Sequence, residues 1–320
     1  MEFDANLDVL MAALEPPPGY ERQIEEPPHP TGDFAFRMDI DLVAPTAGTQ
    51  IDHLERKPLY TSGEVPITGR LDTMMSQRLV SAEETLGGAV TEAIPDLTVH
   101  PISAVGRITA VFSGRVRYCT GTVVAERVVL TAAHCVFAKT NALVGEGQFA
   151  DWILFQPQYM AGAAPGKWSG EAVYMPRGWS DPQDGDSAGL YDVAMVRLDA
   201  PIAHFTGTAG VLANTTPEGP FTSLGYPRKP TDDFAFDGRF LFATTGERLI
   251  DPSPGVVKAE NGLTEGSSGG PWFTTETGEM LVAGINSTKP VRSDNETWSP
   301  MFGEAFQRLL ARVLADMTGV

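Results

Sequence analysis

Residues 266–271 read GSSGGP, and residues 131–135 read TAAHC. The first stretch places Ser268 among glycines, which let the backbone turn tightly and aim its own N–H groups at one point. The second stretch places His134 among small residues. A serine hydroxyl attacks a carbonyl only when an imidazole takes its proton and hydrogen-bond donors hold the oxyanion that forms. Together the two stretches therefore indicate acyl transfer, and peptide hydrolysis in particular.

Both stretches, in this order, resemble the trypsin/chymotrypsin superfamily of serine endopeptidases. TAAHC matches the histidine motif of that family at every position, and GSSGGP departs from its serine motif only at Ser267, which replaces an aspartate. The resemblance implies that His134 is the general base and Ser268 the nucleophile. It also implies an oxyanion hole made by the backbone N–H groups of Gly266 and Ser268, with protein or peptide substrates. No His-Glu-x-x-His string or Cys-x-x-Cys pair indicates a metal, and we expect no cofactor. Because Ser267 cannot form the ion pair of the aspartate, we do not expect trypsin-type activation.

The family places its third catalytic group, an aspartate, between the histidine and the serine, just ahead of a short apolar strand. Asp192 fits this position because residues 193–198 read VAMVRL. Asp184 and Asp186 compete by chain position, but they lie in a stretch rich in Gly and Asp that is typical of a solvated surface loop. We therefore select Asp192.

The two cysteines, Cys119 and Cys135, flank residues 121–131, where two apolar runs are typical of a hairpin. The family bridges a cysteine before this segment to the one that follows its histidine, so the resemblance implies a disulfide between them. Two buried free thiols are the alternative. A structural disulfide favours an exported protein, whereas residues 1–6 lack the basic and apolar regions of a signal peptide. We expect a secreted or periplasmic protein, with a cytoplasmic one as the alternative.

The N-terminal part of the chain differs in composition from the rest. Residues 1–78 carry 14 Asp and Glu against 6 Lys and Arg, with clustered prolines and few aliphatic runs, which argues against a packed core there. We expect residues 1–85 to be a Pro-rich N-terminal extension, a propeptide cleaved between about Arg78 and Leu86. The net charge of −18 shows no basic face for nucleic acid, and the sequence contains no membrane segment. The sequence does not determine the oligomeric state.

From about Thr98 onward, short apolar runs alternate with Gly, Pro and Asp turns, which is typical of an all-β sandwich or barrel. The resemblance selects two six-stranded antiparallel β-barrels with the site in the cleft between them. We expect the protease domain over residues 86–320, with the first barrel at about 98–200 and the second at about 219–300. Apolar residues at helical spacing predict a C-terminal helix over about 302–317, which by resemblance packs on the second barrel.

The chain most resembles the bacterial glutamyl-endopeptidase branch of the family. Residues 86–91, LGGAVT, and 104–108, AVGRI, are similar to the start of the mature domain in that branch. By resemblance the specificity pocket is formed by six residues, namely Gly262, Glu265, Asn286, Ser287, Thr288 and Lys289.

Two of these positions bear on specificity. Gly262 lies where trypsin-like enzymes carry an aspartate, so the pocket base offers no partner to Arg or Lys. Glutamyl endopeptidases carry a histidine at the position of Asn286. One interpretation is that Lys289 replaces its positive charge; the alternative of at least equal weight is a solvated loop lysine. Glu265 at the mouth opposes an acidic substrate. We expect cleavage after residues other than Arg and Lys, and narrowly favour acidic over medium apolar ones.

Two other functions compete with a protease. A non-catalytic or regulatory binding module on the same fold is the alternative, and the presence of all three catalytic side chains disfavours it. An esterase of the α/β-hydrolase type needs a histidine after its serine, and no histidine follows Ser268.

Overall fold

The computed structural model describes residues 20–23, 36–39, 41–45, 89–139, 147–180, 190–214, 217–249, 255–289 and 295–318. The expected cleavage region and the competing Asp184 and Asp186 lie outside these ranges. The strands are β1 (Tyr20–Gln23), β2 (Phe36–Asp39), β3 (Asp41–Pro45), β4 (Val90–Ala93), β5 (Val105–Phe112), β6 (Arg115–Ala125), β7 (Val128–Thr131), β8 (Phe137–Ala138), β9 (Gln148–Phe149), β10 (Trp152–Pro157), β11 (Trp168–Pro176), β12 (Ala194–Leu198), β13 (Gly210–Val211), β14 (Phe221–Gly225), β15 (Phe242–Gly246), β16 (Arg248–Leu249), β17 (Val256–Glu260), β18 (Pro271–Thr274), β19 (Leu281–Ile285) and β20 (Glu296–Pro300). The helices are α1 (Ala133–Val136), α2 (Arg177–Ser180), α3 (Ala203–Thr206) and α4 (Glu304–Thr318), with a 3₁₀ turn at Ile102–Ala104.

The first barrel is a closed antiparallel sheet. Its strands follow the order β10, β5, β6, β7, β12 and β11, and β11 pairs back with β10 to close it. Closure leaves none of these six strands as a free edge over its paired length, which is how all-β domains satisfy their backbone groups. Strand β2 of the N-terminal region pairs antiparallel with the far end of β11. The six-stranded first barrel predicted from the sequence is confirmed.

The second barrel is built from two sheets. The larger has the order β13, β19, β18, β14, β15 and β4, and the smaller has the order β16, β17 and β20. The sheets join where β15 continues into β16 and where Thr288 pairs with Trp298 beyond the end of β19. The trypsin-like two-barrel architecture expected from the resemblance is therefore present.

Strand β4 precedes the first barrel in sequence but belongs to the second. It pairs antiparallel with β15, and the hydroxyl oxygens of Thr91 and Thr244 lie 2.7 Å apart across the pair. The chain thus contributes to the second barrel, builds the first, and then returns to complete the second. This crossing brings β4 close to the residues that precede Ser268.

The C-terminal helix α4 has the predicted amphipathic pattern. Phe306, Leu309 and Val313 are buried at helical spacing. The helix packs on β11 and β12 of the first barrel, so its predicted position on the second barrel was wrong. The periodicity specifies which face of a helix is buried but not which surface it meets. Within the described ranges no helix combines the length and the apolar character needed to cross a membrane.

Candidate active site

His134 and Asp192 are brought together by two paired strands. His134 lies in α1 directly after β7, and Asp192 lies just ahead of β12, which pairs antiparallel with β7. Because the end of one antiparallel strand faces the start of its partner, the two residues meet at the same edge of the barrel. Asp192 Oδ2 lies 2.7 Å from His134 Nδ1, and its Oδ1 accepts the backbone N–H of His134 at 2.8 Å. The carboxylate therefore fixes both the ring and the backbone of the histidine.

Asp192 is fully buried and yet held ionised. Its side chain has no solvent exposure, while the imidazole of His134 is 27 % exposed. The hydroxyl of Ser287 donates a second hydrogen bond to Asp192 Oδ2 at 2.5 Å. Burial opposes ionisation, but the charge and hydrogen bonds of His134 and the Ser287 hydroxyl together hold the pKa of Asp192 below its usual value. With a carboxylate on Nδ1, the imidazole carries its proton there and leaves Nε2 as an acceptor.

Ser268 is held against the first barrel by Thr120, a fully buried residue of β6. The backbone N–H of Thr120 donates to the carbonyl of Ser268 at 2.8 Å, and its hydroxyl donates to the carbonyl of Gly266 at 3.0 Å. The same hydroxyl accepts the N–H of Tyr226 at 3.0 Å. Thr120 thus ties the GSSGGP loop of the second barrel to the strand that carries Cys119.

The disulfide between Cys119 and Cys135 confirms the predicted bridge. It links β6 to α1, and the carbonyl oxygen of Ser268 lies 3.7 Å from Cys135 Sγ. Ser268 therefore packs beside the residue that follows His134. The part of the chain that the structure describes shows no hydrogen bond for the Ser268 hydroxyl or for Nε2 of His134, so neither atom is committed elsewhere. Catalytic hydrogen bonds of this kind often tighten only when substrate is bound.

The loop that carries Ser268 leaves two backbone donors unused. The N–H of Ser267 donates to Thr264 at 3.1 Å and that of Gly269 donates to Asn286 at 2.6 Å. The N–H groups of Gly266 and Ser268 have no acceptor among the described residues. Gly266 has a φ of 97°, a left-handed conformation that glycine adopts without strain. Two uncommitted donors on either side of a tight turn are the arrangement that an oxyanion requires.

Ser267 stabilises this turn by itself. Its hydroxyl donates to the carbonyl of Thr264 at 2.6 Å, and the residue is 5 % exposed. The position that carries an aspartate in the family therefore closes a local turn here through neutral hydrogen bonds.

Two further side chains, absent from the sequence predictions, lie close to His134. The guanidinium of Arg117 donates to the backbone carbonyl of His134. The ring of Trp179 lies 6.4 Å from the imidazole, centroid to centroid, and Trp179 is 7 % exposed. Neither residue carries a motif, so only their positions in the fold connect them to the site.

Two of the six residues assigned to the pocket have side chains that are committed to other contacts. Asn286 is 2 % exposed, and its amide donates to the carbonyls of Leu224 and Ser267 while its oxygen accepts hydrogen bonds from Asn261 and Trp272. All four of its hydrogen-bonding positions are used inside the protein, so it offers nothing to a substrate. Ser287, as described above, bonds to Asp192.

The contacts of the other four residues do not conflict with the pocket expected from the resemblance. Lys289 Nζ donates to the backbone carbonyl of Asn261 at 2.8 Å, which places the ammonium group beside Gly262. Thr288 pairs with Trp298, and Glu265 is exposed at the edge of the loop. A β-carbon on Gly262 would lie 3.3 Å from the Thr91 hydroxyl, so β4 borders the position that the resemblance assigns to the pocket base.

Among the described residues, one group of potential metal-ligand atoms occurs, and it lies at this site. Ligand atoms of Cys119, His134 and Cys135 lie within 4.8 Å of one another. Both sulfurs are bonded in the disulfide, and a disulfide sulfur is not the thiolate that metal ions take. The geometry is that of a histidine packed over a disulfide.

A family model of the trypsin-like peptidase domain matches residues 119–285, just over half of the chain. The chain belongs to the trypsin-like peptidases. A search of curated protein sequences found no match.

Solved structures agree with this assignment. The protease Anisep from Arthrobacter nicotinovorans is 26 % identical, with a TM-score of 0.59 over 71 % of this chain and 100 % of its own. The thermostable serine protease AL20 from an extremophilic microorganism is also 26 % identical, with a TM-score of 0.56 over 66 % and 96 % of the two chains. A Glu endopeptidase shares the fold at 19 % identity, with a TM-score of 0.57 over 70 % and 96 %. This trypsin-like peptidase is therefore an enzyme, a serine endopeptidase that acts on peptide substrates.

The Ser287 hydroxyl gives this peptidase a testable positioning residue. We expect Ser287→Ala to lower kcat by about tenfold, because a hydrogen bond to a buried carboxylate contributes about 1.5–3 kcal/mol. The folded-state pKa of Asp192 lies below its usual 3.8, so ionised Asp192 stabilises the fold above that value, and this stabilisation is lost as pH falls through the folded-state pKa. Removing the hydroxyl raises that pKa, and acid unfolding should begin at higher pH.

Steady-state kinetics and acid titration by circular dichroism measure the two effects. Ser287→Thr retains a hydroxyl and serves as the rescue variant. An unchanged kcat and an unchanged acid midpoint in Ser287→Ala would show that the hydroxyl has no part in holding Asp192.

Proposed function

We propose that this serine endopeptidase cleaves peptide bonds through an acyl-enzyme on Ser268, with His134 as proton carrier and Asp192 as its orienting group. Ser268 Oγ attacks the scissile carbonyl while His134 Nε2 takes its proton, and the same proton passes to the leaving amine. Water, activated by the same imidazole, then releases the acyl group. The pairing of the buried Asp192 with His134, in which both carboxylate oxygens bond to one histidine, carries this proposal.

The uncommitted N–H groups of Gly266 and Ser268 support an oxyanion hole at this loop. A tetrahedral intermediate places its negative oxygen beside the nucleophile, where fixed donors stabilise it without reorganisation. The two peptide units that carry these N–H groups are held through their carbonyls. The carbonyl of Glu265, in the peptide unit of the Gly266 N–H, accepts the backbone N–H of Arg228 at 2.6 Å. The carbonyl of Ser267, in the peptide unit of the Ser268 N–H, accepts the N–H of Gly270 at 2.9 Å and the side-chain amide of Asn286 at 3.2 Å. The pre-organisation of the hole therefore depends on contacts within the second barrel.

The proposed specificity excludes Arg and Lys at the scissile position. Gly262 has no carboxylate, and a guanidinium bound without a partner loses several kcal/mol of hydration, or more than about a hundredfold in rate. The ammonium group of Lys289, held beside Gly262 by Asn261, supports an acidic residue instead. The exposed carboxylate of Glu265 repels an acidic substrate residue. The proposed preference for acidic over apolar residues is therefore small.

Cleavage of a peptide library by the purified enzyme tests this function. We expect cleavage after acidic residues and none of significance after Arg or Lys. Lys289→Ala should lower the Glu-to-Gln ratio of kcat/KM by about fivefold, whereas Lys167→Ala, an exposed lysine on the first barrel, should leave the ratio as it is. Dominant cleavage after Arg would show that Gly262 does not form the pocket base.

Export and processing are part of the proposal. A structural disulfide supports a secreted or periplasmic location. Removal of the extension over residues 1–85, which lies largely outside the described ranges, stays a prediction from composition.

A further inference from the structure

The side chain of Arg228 runs along the loop that carries the proposed oxyanion hole. Its backbone N–H donates to the carbonyl of Glu265 at 2.6 Å, which fixes the residue beside that loop. A β-carbon on Gly266 would lie 2.9 Å from Arg228 Cγ, and one on Gly238 would lie 2.6 Å from the same atom. The stem of Arg228 therefore fills the space that two glycines leave open. Its direction is set by backbone on both sides.

An aromatic ring receives the end of this side chain. The guanidinium carbon of Arg228 lies 4.8 Å from the ring centroid of Tyr118, within the range of a cation–π contact. A second cation holds the same ring, because the guanidinium carbon of Arg107 lies 5.0 Å from Tyr118 and 3.5 Å from the ring of Tyr159. Arg107 also donates to Gln156 Oε1 at 3.1 Å. Tyr118 is thus a fixed platform for Arg228.

Arg228 is exposed and forms no ion pair with any acidic side chain in the described part of the chain. Arg127 and Arg197, in contrast, share the carboxylate of Glu171. Fixing a long charged side chain costs rotamer entropy. For Arg228, no ion pair with a carboxylate of the described residues offsets this cost. A planar guanidinium held in one orientation is suited to bind a carboxylate through two parallel hydrogen bonds.

The position of Arg228 relative to the scissile bond follows from the two flanks of Ser268. The proposed pocket at Gly262 and Lys289 takes the acyl side of the substrate. Tyr118 belongs to the first barrel and is followed by Cys119, whose disulfide partner Cys135 lies 3.7 Å from the Ser268 carbonyl oxygen, and by Thr120, whose N–H bonds to that oxygen. Tyr118 is therefore on the first-barrel side of Ser268, whereas Gly262 and Lys289 are in the second barrel. We place the leaving group on this first-barrel side, beside the guanidinium.

We propose that Arg228, held on Tyr118, binds an acidic side chain at one of the first two residues on the leaving-group side of the scissile bond. This inference rests on the proposed function of Ser268. It adds a second determinant of specificity, separate from the pocket that takes the residue before the bond.

Matched peptides test the inference. Two pairs share a sequence that the wild-type enzyme cleaves and differ only in Asp or Asn, at the first residue after the bond in one pair and at the second in the other. In at least one pair we expect the wild-type kcat/KM to favour Asp by about fivefold. Arg228→Gln should bring that ratio to about one, and about 0.5 M NaCl should lower it in the wild type. Arg239→Gln removes the same charge from an exposed position nearby and should leave the ratio unchanged.

Each outcome decides the matter. Equal cleavage of Asp and Asn peptides by the wild type overturns the inference while the proposed function stands. A ratio that persists in Arg228→Gln, or an equal loss on both members of a pair, shows that the residue only supports the loop. Failure of the wild type to cleave any of the peptides, together with no labelling of Ser268 by a fluorophosphonate, overturns the proposed function and this inference with it.

Discussion

Ser268→Ala is expected to lower kcat by about 10⁴-fold or more, with a melting temperature close to that of the wild type. The variant loses the only atom that forms the proposed acyl bond, and the residual rate comes from the oxyanion hole and substrate binding. The melting temperature should hold because the Ser268 hydroxyl has no hydrogen bond within the described ranges, whereas its backbone contact with Thr120 is retained. Single-turnover and steady-state kinetics on one peptide, with thermal unfolding, measure both quantities.

Ser267→Ala is the matched control, since it removes a hydroxyl one residue away. Its Oγ bonds to Thr264 and so supports the turn without entering the chemistry. We expect a loss of about tenfold at most, from a loosened loop. If Ser267→Ala were the more damaging of the two, the assignment of the nucleophile would be wrong.

Asp192→Asn is expected to lower kcat by about 10⁴-fold. An amide in place of the carboxylate has no negative charge to stabilise the imidazolium, and its NH₂ group can donate to Nδ1 and so favour the wrong tautomer of His134. Because the change conserves shape at a position with no solvent exposure, the fold should persist, which circular dichroism checks.

Asp96→Asn is the corresponding control. This carboxylate is exposed and accepts hydrogen bonds from Thr98. We expect kcat to stay within about twofold of wild type, since an exposed charge that closes a local turn contributes little. An Asp192→Asn enzyme with more than about a tenth of wild-type kcat would contradict the proposed role of this residue.

The sequence was sufficient to predict the components of the site that belong to compact motifs. His134 and Ser268 lie in short stretches whose local chemistry is distinctive, and Asp192 precedes an apolar strand in the expected place. The structure brings His134 and Asp192 within hydrogen-bonding distance. The position of Asp192 in the chain was enough to predict its role, because the start of the paired strand β12 fixes where the preceding residue lies.

The side-chain directions in the wall of the pocket could not be predicted in the same way. Asn286 and Ser287 are adjacent, and successive residues in extended backbone point to opposite sides. Asn286 therefore points into the second barrel, towards Asn261 and Trp272, while Ser287 points to Asp192. The resemblance located the segment but could not tell which of its side chains line the pocket.

Contacts between parts of the chain that are distant in sequence could not be predicted either. Thr120 holds the loop of Ser268 across 146 positions to Gly266, and Arg117 donates to the carbonyl of His134. Neither residue belongs to a motif, and pairing between barrels depends on the closed fold. Strand β4 shows the same limit, because its four residues give no sign that they pair with β15.

Labelling of Ser268 by a fluorophosphonate tests the central claim most directly, namely that His134 activates this hydroxyl. Tryptic mass spectrometry should find the adduct on Ser268 in the wild type, at a rate reduced by at least about a hundredfold in His134→Ala. Labelling of both proteins at equal rates, or an adduct on another residue, would contradict the account. A wild type that binds peptides but is neither labelled nor able to cleave them would instead be a binding module on a trypsin-like fold.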